Sequence, residues 1–266
     1  MNSSVDPAGA ARQVAKNPWF ERAARLGYAA NGVLHATLGI LAAVIATGGK
    51  AEADQSGAMR TLADQPFGMV LLWVCAIGAL LLGLWSLAQV FLPENKVRER
   101  IKHAATSVSF LAVGFTFGRF AVGKPSDSGK TATSFSGEMM KSGLGRTLLI
   151  AIGIGLLVMA GYYIYKGVTR RFLKDLSGSR HSEVSRAIKT SGMIGYPAKG
   201  VVLGTLGVLF IVATVQGDPK EANGIDGALK TIQDQPFGPV ALIAIGVGLV
   251  CYAIYLVFRA RYDQMD

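Results

Sequence analysis

The stretch Thr61–Trp73 reads TLADQPFGMVLLW, and the stretch Thr231–Ile243 reads TIQDQPFGPVALI. The five letters DQPFG are the same in both, and each copy stands between a polar segment and a long apolar one. A chance match of five specified letters in the same context is rare in a chain of 266 residues. The two copies therefore indicate an internal repeat, and this repeat decides the expected architecture.

The apolar segments beside these turns are long enough to cross a membrane. Hydrophobic residues make up 51% of the chain and charged residues 17%, whereas a soluble domain carries about 25% charged residues. A helix needs roughly 20 apolar residues to span a bilayer. We therefore predict an all-α integral membrane protein with six transmembrane helices, instead of a soluble helical core. The predicted spans cover about 28–48, 69–92, 104–122, 146–168, 196–215 and 238–258.

The six predicted helices form three units of two. Leu26–Gly39 (LGYAANGVLHATLG) aligns with Ile194–Gly207 (IGYPAKGVVLGTLG), and the segments ending in DQPFG follow in the same order. The middle unit is diverged and keeps only the plan of helix, hydrophilic loop and helix. A unit with two spans starts and ends on one side, so we expect three parallel hairpin repeats with pseudo-threefold symmetry. The expected boundaries are 1–23 for a cytoplasmic N-terminal tail with an amphipathic helix, then 24–92, 101–173 and 190–262 for the repeats.

The repeated turn is predicted to join a short surface helix to a spanning helix. Proline suits the first turn of a helix because its missing N–H has no partner there in any case. The Asp or Gln before the proline can cap the N-terminus of the same helix. A turn that contacts a substrate is the alternative. These structural turn residues are Asp64, Gln65, Pro66, Asp234, Gln235 and Pro236.

The distribution of charge predicts the orientation and the surroundings. The net charge is +10, which in a soluble protein would indicate nucleic acid. With the N-terminus inside, the inner segments hold roughly twice as many lysines and arginines as the outer loops. We therefore predict a multi-pass protein of the bacterial plasma membrane with both termini cytoplasmic. Its expected partners are membrane lipids, with anionic headgroups on the inner face, and no nucleic acid.

A few polar side chains stand within the predicted spans, where such groups are costly and often functional. His35 lies about two turns into the first helix, and Asn31 precedes it by four residues on the same face. Lys199 is the repeat counterpart of Asn31, and Thr106 is the nearest counterpart in the middle unit. One polar residue per unit at one depth predicts a central polar site on the inner side. The alternative is that Lys199 extends to the interface and that His35 bonds a neighbouring helix.

Motifs for catalysis and for cofactors are missing from the sequence. It contains no H-E-x-x-H, no G-x-S-x-G and no phosphate-binding loop, and the predicted spans contain no Asp or Glu. The chain has only three histidines, which disfavours a haem held by two of them. We therefore expect no enzymatic activity, no catalytic residues, no metal site and no cofactor.

The repeated motifs resemble a bacterial family named only as domain of unknown function 1206. The likeness rests on the opening G-Y-x-A-x-G, on the loop G-A-[LM]-x-x-[LI]-x-x-Q-P-F-G and on the three two-helix units, over about residues 24–262. The middle unit departs from the pattern in both motifs. The resemblance implies a membrane protein of three two-helix units and implies no activity.

Small residues along the first helix of each outer unit predict close helix packing. Gly32, Ala36 and Gly39 of the first unit match Gly200, Gly204 and Gly207 of the third unit. The middle unit keeps only Ser107 and Gly114 of this pattern, so we expect its helix to pack less closely. Tight packing and few buried polar groups favour a non-enzymatic scaffold or accessory subunit of a membrane protein partner. The alternative is a small carrier or channel for a lipid, an ion or a small solute through the central polar site.

Overall fold

A computed structural model describes residues 18–92, 96–175 and 182–262, and the regular structure of these residues is entirely helical. Two short 3₁₀ helices, Arg171–Asp175 and Pro219–Glu221, accompany nine α-helices in this part of the chain. The α-helices are α1 Pro18–Ala46, α2 Gln55–Ala63, α3 Gly68–Val90, α4 Val97–Ala121, α5 Ser128–Met140, α6 Gly143–Val168, α7 Ser182–Gln216, α8 Gly224–Gln233 and α9 Gly238–Tyr262.

Six of these helices are long and apolar enough to cross a membrane, namely α1, α3, α4, α6, α7 and α9. The predicted all-α fold with six spans is therefore confirmed. Between the two spanning helices of each unit stands one short helix, so each unit has the order long, short, long. The short helices are α2, α5 and α8.

The second spanning helix of each unit packs against the first spanning helix of the next unit. α3 packs on α4, α6 packs on α7, and α9 returns to pack on α1, all three over a large part of their length. This cyclic order is the arrangement that pseudo-threefold symmetry requires. A linear row of hairpins would lack the contact between α9 and α1, so the predicted arrangement is confirmed.

Glycines bring the backbones close at these interfaces. A Cβ atom on Gly39 would lie 2.6 Å from the carbonyl oxygen of Gly246, and one on Gly246 would lie 2.6 Å from that of Gly39. At the contact of α3 with α4, a Cβ on Gly114 would lie 2.8 Å from the side chain of Leu80. This third contact is as extensive as the other two. The expectation that the helix of the middle unit packs less closely is therefore wrong, because Gly114 of α4 and Gly83 of α3 both allow the close approach.

The middle unit differs from the others in the separation of its own two helices. In the first unit α1 packs on α3, and in the third unit α7 packs on α9. In contrast, α4 and α6, both of which lie wholly within the described residues, do not pack along each other. The ring of six helices therefore has a gap between α4 and α6.

The short helices α2, α5 and α8 form a cap at the end of the bundle opposite to the described chain ends. The backbone N–H of Ala53 donates to Oδ1 of Asp226 at 2.9 Å, which ties the first unit to the third. The N–H of Ser128 donates to Oγ of the buried Ser56 at 2.9 Å, which ties the second unit to the first. Since α5 also packs on α8, all three units are joined in the cap.

The repeated turn lies between a cap helix and a spanning helix, and its geometry differs from the prediction. Asp64 is the C-cap of α2, and the residue before α3 is Phe67, which has a left-handed φ of 63° and makes no side-chain capping bond. The N–H of Gly68 donates to the carbonyl of Gln65 at 2.8 Å. The predicted capping of α3 by Asp64 or Gln65 is therefore wrong, as is a place for Pro66 in the first helical turn, because the backbone closes this turn.

The second copy of the turn has the same geometry. Asp234 is the C-cap of α8, Phe237 has a φ of 66°, and the N–H of Gly238 donates to the carbonyl of Gln235 at 2.7 Å. Pro236 therefore precedes α9, as Pro66 precedes α3. In the middle unit a side chain performs the capping instead, since Oγ of Ser142 accepts from the N–H of Gly145 at 3.0 Å.

The predicted N-terminal boundary does not coincide with a break in the helix. Residues 1–17 lie outside the described residues, and α1 runs without interruption from Pro18 to Ala46. In the third unit α7 likewise begins at Ser182, before the expected boundary at residue 190. The segment from Pro18 that was expected as an amphipathic surface helix is therefore continuous with the first span, and residues 182–189 are continuous with the first span of the third unit.

Candidate functional site

A cavity of about 330 Å³ lies where the three units meet, in the half of the bundle that contains the described chain ends. Residues of α1, α4, α6, α7 and α9 form its wall. Each unit thus contributes to the cavity, which the cyclic packing of the helices creates. The cap closes the opposite end of the bundle.

Three of the four residues predicted for the central polar site line this cavity. Asn31 of α1, Thr106 of α4 and Lys199 of α7 stand at matching positions on the first helix of each unit. His35 lies one turn deeper in α1 and is not part of the wall. Its Nδ1–H donates to the carbonyl oxygen of Asn31 at 2.9 Å, and its ring packs against the ring of Tyr252 at 4.9 Å between centres. His35 therefore supports the wall from beneath.

The ammonium of Lys199 lies between two aromatic rings inside the bundle. Its Nζ is 4.6 Å from the ring centre of Tyr252 and 5.1 Å from that of Tyr163. It also donates to the hydroxyl oxygen of Tyr252 at 3.4 Å. A cation over the face of a tyrosine gains roughly 0.5–2 kcal/mol, with the larger values in sites away from water. These rings hold Lys199 at the cavity instead of at the membrane interface.

Further basic residues line the cavity and were not among the predicted site residues. Lys166 is 8% exposed, and its Nζ lies 5.1 Å from the ring centre of Tyr196. The guanidinium of Arg259 lies 4.7 Å from the ring centre of Tyr28, and Lys102 of α4 completes the set. Lys166 is buried and Arg259 is half-buried, whereas Lys102 is exposed, so the expectation of very few buried polar groups is wrong at Lys166.

A signal for two of these residues was present in the sequence. Lys166 falls inside the predicted span 146–168, where any ionisable side chain is a candidate. Arg259 follows the predicted end of the last span by one residue and holds the same repeat position as Lys166, counted from Gly145 and Gly238. Comparison of the second helices of the units, in addition to the first, would have identified both.

A cluster of buried aromatic rings lies beside the cavity, between α7 and α9. Tyr196 and Tyr255 are 1% and 0% exposed, and Phe172 from the 3₁₀ helix stacks on Tyr196 at 5.5 Å. The hydroxyl of Tyr196 donates to that of Tyr255 at 3.5 Å, and Tyr255 donates to the carbonyl of Phe172 at 3.4 Å. Rings packed and bonded in this way give the cavity a rigid wall on this side.

The hydroxyl groups on α4 are already committed as donors. Oγ1 of Thr106 donates to the carbonyl of Lys102 at 2.9 Å, and Oγ of Ser109 donates to the carbonyl of Ala105 at 2.8 Å. Both hydroxyls therefore offer only lone pairs to the cavity. The side-chain amide of Asn31, in contrast, has no hydrogen-bond partner among the residues that the structure describes.

The cavity opens sideways through the gap between α4 and α6. Met159 and Tyr162 on α6 line the cavity and are 45% and 53% exposed, and Ser109 on α4 is also exposed. These side chains stand at the level of the spans, where a bilayer would surround the protein. The gap therefore joins the cavity to the surface that membrane lipids cover.

Comparison with known proteins gives a family and no activity. The family described as Domain of Unknown Function (DUF1206) matches three segments, 26–92, 101–170 and 194–263. The chain is also 28% identical over 256 residues to the uncharacterized protein YxxB of Bacillus subtilis (strain 168), an alignment that covers 93% of each chain. No solved structure matches the chain. With its six spans and its bacterial relative, the chain is a multi-span membrane protein that belongs to the DUF1206 family.

Proposed function

We propose that this protein binds an amphiphile dissolved in the membrane, in the cavity between its three units, and carries or presents it without chemical conversion. The observation behind the proposal is the lateral gap between α4 and α6, which connects a polar, aromatic cavity to the lipid-covered surface. A water-soluble ligand needs no such entrance. An amphiphile, in contrast, reaches the cavity from within the bilayer and never has to leave it.

The size of the cavity supports a mode of binding in which only part of the molecule enters. Its volume of about 330 Å³ is near the lower end of the range of roughly 300–1,000 Å³ for small-molecule sites. A headgroup fits this volume, whereas a whole phospholipid does not. The chains of the amphiphile would remain in the gap and in the surrounding bilayer.

The closed cap supports binding over conduction. Hydrogen bonds from Ala53 and Ser128 tie the three cap helices together across the end of the bundle. A channel would need a continuous path through this end. Of the alternatives that the sequence leaves open, we therefore favour a carrier or binding protein over a channel.

The orientation with both termini in the cytoplasm is also a proposal, and the excess of basic residues on that side supports it. In this orientation the cavity lies in the cytoplasmic half of the membrane. The cap, with α2, α5 and α8, would then face outward. Labelling of single cysteines in intact cells would test this, since Lys124→Cys next to the cap should react with a reagent that cannot cross the membrane.

A scaffold or accessory subunit is the second candidate. The observation that favours it is the apolar face of α6, on which Ile154, Val158 and Leu148 are exposed. Lipid or a helix of a partner protein can cover such a face. A stoichiometric second protein that stays bound after gentle extraction would support this candidate over the first.

Native mass spectrometry of the chain released from lipid-retaining membrane patches tests the proposal. Ala105→Trp places a large ring in the cavity wall, and Val108→Trp is the matched control, since Val108 is 70% exposed and does not line the cavity. We expect one bound amphiphile on the wild type and on Val108→Trp, and none on Ala105→Trp. A wild-type chain without a bound molecule, or equal occupancy in both variants, would contradict the proposal.

A further inference from the structure

The charged side chains that line the cavity are all basic. They are Lys102, Lys166, Lys199 and Arg259, from α4, α6, α7 and α9. Among the lining residues that the structure describes there is no Asp or Glu. Such a cavity carries a positive potential, and low-dielectric walls concentrate that potential on whatever enters.

Lys199 is the basic residue whose surroundings are best defined. The described structure gives its ammonium one hydrogen-bond acceptor, the hydroxyl of Tyr252, and the faces of two tyrosine rings. An ammonium has three N–H donors, so it can donate further bonds to an oxygen in the cavity. The rings stabilise the positive charge without neutralising it, because a ring quadrupole carries no net charge.

Asn31 adds a neutral donor at the matching position of the first unit. Its side-chain amide lines the cavity and has two N–H groups without a partner among the described residues. The hydroxyls of Thr106 and Ser109 already donate to backbone carbonyls. Of the three matching positions, those of Lys199 and Asn31 therefore have N–H groups left to donate into the cavity, whereas Thr106 does not.

Apolar side chains also line the cavity. Met159, Phe110 and Leu256 line the same cavity, and Met159 stands at the gap where α4 and α6 part. A thioether chain adapts its shape to flexible apolar partners. A molecule in this cavity thus meets both basic and apolar side chains, and Met159 provides an apolar surface at the gap to the bilayer.

Building on the proposed function, we infer that the cavity selects an anionic amphiphile, with a phosphate or carboxylate headgroup bound by Lys199 and Asn31. Its hydrocarbon part leaves between Ser109 of α4 and Met159 of α6. A zwitterionic or neutral amphiphile fits less well, because it brings either an additional positive charge or no charge to a wall of basic residues.

The test is a titration of the full chain in a neutral maltoside detergent, with bound molecules counted by native mass spectrometry. The probes are phosphatidylglycerol, oleate, phosphatidylcholine and inorganic phosphate. Lys199→Gln removes the charge in the cavity, and Lys189→Gln is the matched control, since it removes a lysine of the same helix that does not line the cavity. Lys199→Arg keeps the charge.

We expect phosphatidylglycerol and oleate to bind the wild type at least tenfold more tightly than phosphatidylcholine. Because a charge-assisted hydrogen bond is lost, Lys199→Gln should weaken phosphatidylglycerol binding about ten- to a hundredfold. Lys189→Gln should change it less than twofold, and Lys199→Arg should restore most of the affinity. If Lys199→Gln does not fold, Asn31→Ala replaces it, with an expected loss of about two- to tenfold.

The contrary results separate the two proposals. Equal binding of phosphatidylcholine and phosphatidylglycerol, or unchanged affinity in Lys199→Gln, overturns the anionic headgroup and leaves the proposed function standing. Inorganic phosphate that binds as tightly as phosphatidylglycerol shows a site for free anions and overturns the amphiphile. If none of the four probes binds, both proposals fail.

Discussion

Replacement of Gly39 by alanine tests the packing that closes the ring of helices. The new Cβ would lie 2.6 Å from the carbonyl oxygen of Gly246 and 3.0 Å from Cγ2 of Val250, whereas ordinary contact begins at 3.4 Å. α1 and α9 would therefore have to separate by about 0.8 Å at this point, and a gap of 0.5–1 Å loses roughly a quarter to a half of the dispersion energy across it. Because overpacking of this kind costs about 1–3 kcal/mol, we expect the free energy of unfolding to fall by that amount.

The assay is reversible unfolding in mixed micelles of a mild detergent and dodecyl sulfate, followed by circular dichroism. Gly155→Ala is the control, since a Cβ atom there meets nothing within 4 Å beyond the neighbouring backbone of its own helix. The control measures the helix preference of alanine alone, which raises stability by up to about 1 kcal/mol. If Gly39→Ala is as stable as Gly155→Ala, the close contact of α1 with α9 is not part of the folded protein.

Three further predictions concern the cap. Ser56→Ala leaves the N–H of Ser128 without its buried acceptor, so the free energy of unfolding should fall by about 1–3 kcal/mol and the midpoint of thermal unfolding should fall with it. An unchanged midpoint would contradict the hydrogen bond between the first and second units. Gly68→Ala would place a methyl group against the carbonyl oxygen of Leu62 in α2, so the free energy of unfolding should fall by more than it does for Gly39→Ala. A Gly68→Ala variant as stable as the wild type would contradict this contact. The backbone N–H of Lys130 lowers the pKa of Asp127 below its ordinary value of 3.8, so this carboxylate stabilises α5 above that pH and loses the effect as the pH falls through its lower folded-state pKa. The free energy of unfolding should therefore fall more in acid for the wild type than for Asp127→Asn. Parallel curves of unfolding free energy against pH would refute this role of Asp127.

The features that the sequence predicted well are those that depend on local pattern. A span is recognised by its length and apolarity, whatever it packs against, so all six were found. The repeat then placed Asn31, Thr106 and Lys199 at one depth on three equivalent helices, and the structure brings them to one cavity. Symmetry supplied the long-range information that a single helix does not carry.

The features that were missed depend on the fit of one surface against another. The middle unit looked diverged, yet nothing in its residues showed that α4 and α6 would part while α3 and α4 packed closely. Proline and aspartate both favour the start of a helix, but in these turns they do not begin or cap it. The turn is closed instead by the left-handed conformation of Phe67 and by the backbone hydrogen bond from the N–H of Gly68 to the carbonyl of Gln65. Lys166 was missed for a simpler reason, since only the first helices of the units were compared for polar residues.

The departure from symmetry lies in the middle unit, whose two helices border the gap that leads to the basic cavity. Two of the three units are closed by contact of their own helices, and only the middle unit is open. In the proposed function, this open side of the middle unit is the entrance to the cavity. The loss of both repeat motifs in the middle unit is thus consistent with a separate role for this unit as the entrance.

The most direct test is an electron cryomicroscopy map of the protein in nanodiscs of phosphatidylcholine and phosphatidylglycerol. We expect an elongated density whose compact end lies beside Nζ of Lys199 and whose tail leaves between Met159 and Ser109. We also expect α4 and α6 to remain apart in the bilayer. A map in which the cavity is empty, or in which α4 and α6 pack together and close the gap, would contradict the proposed binding site.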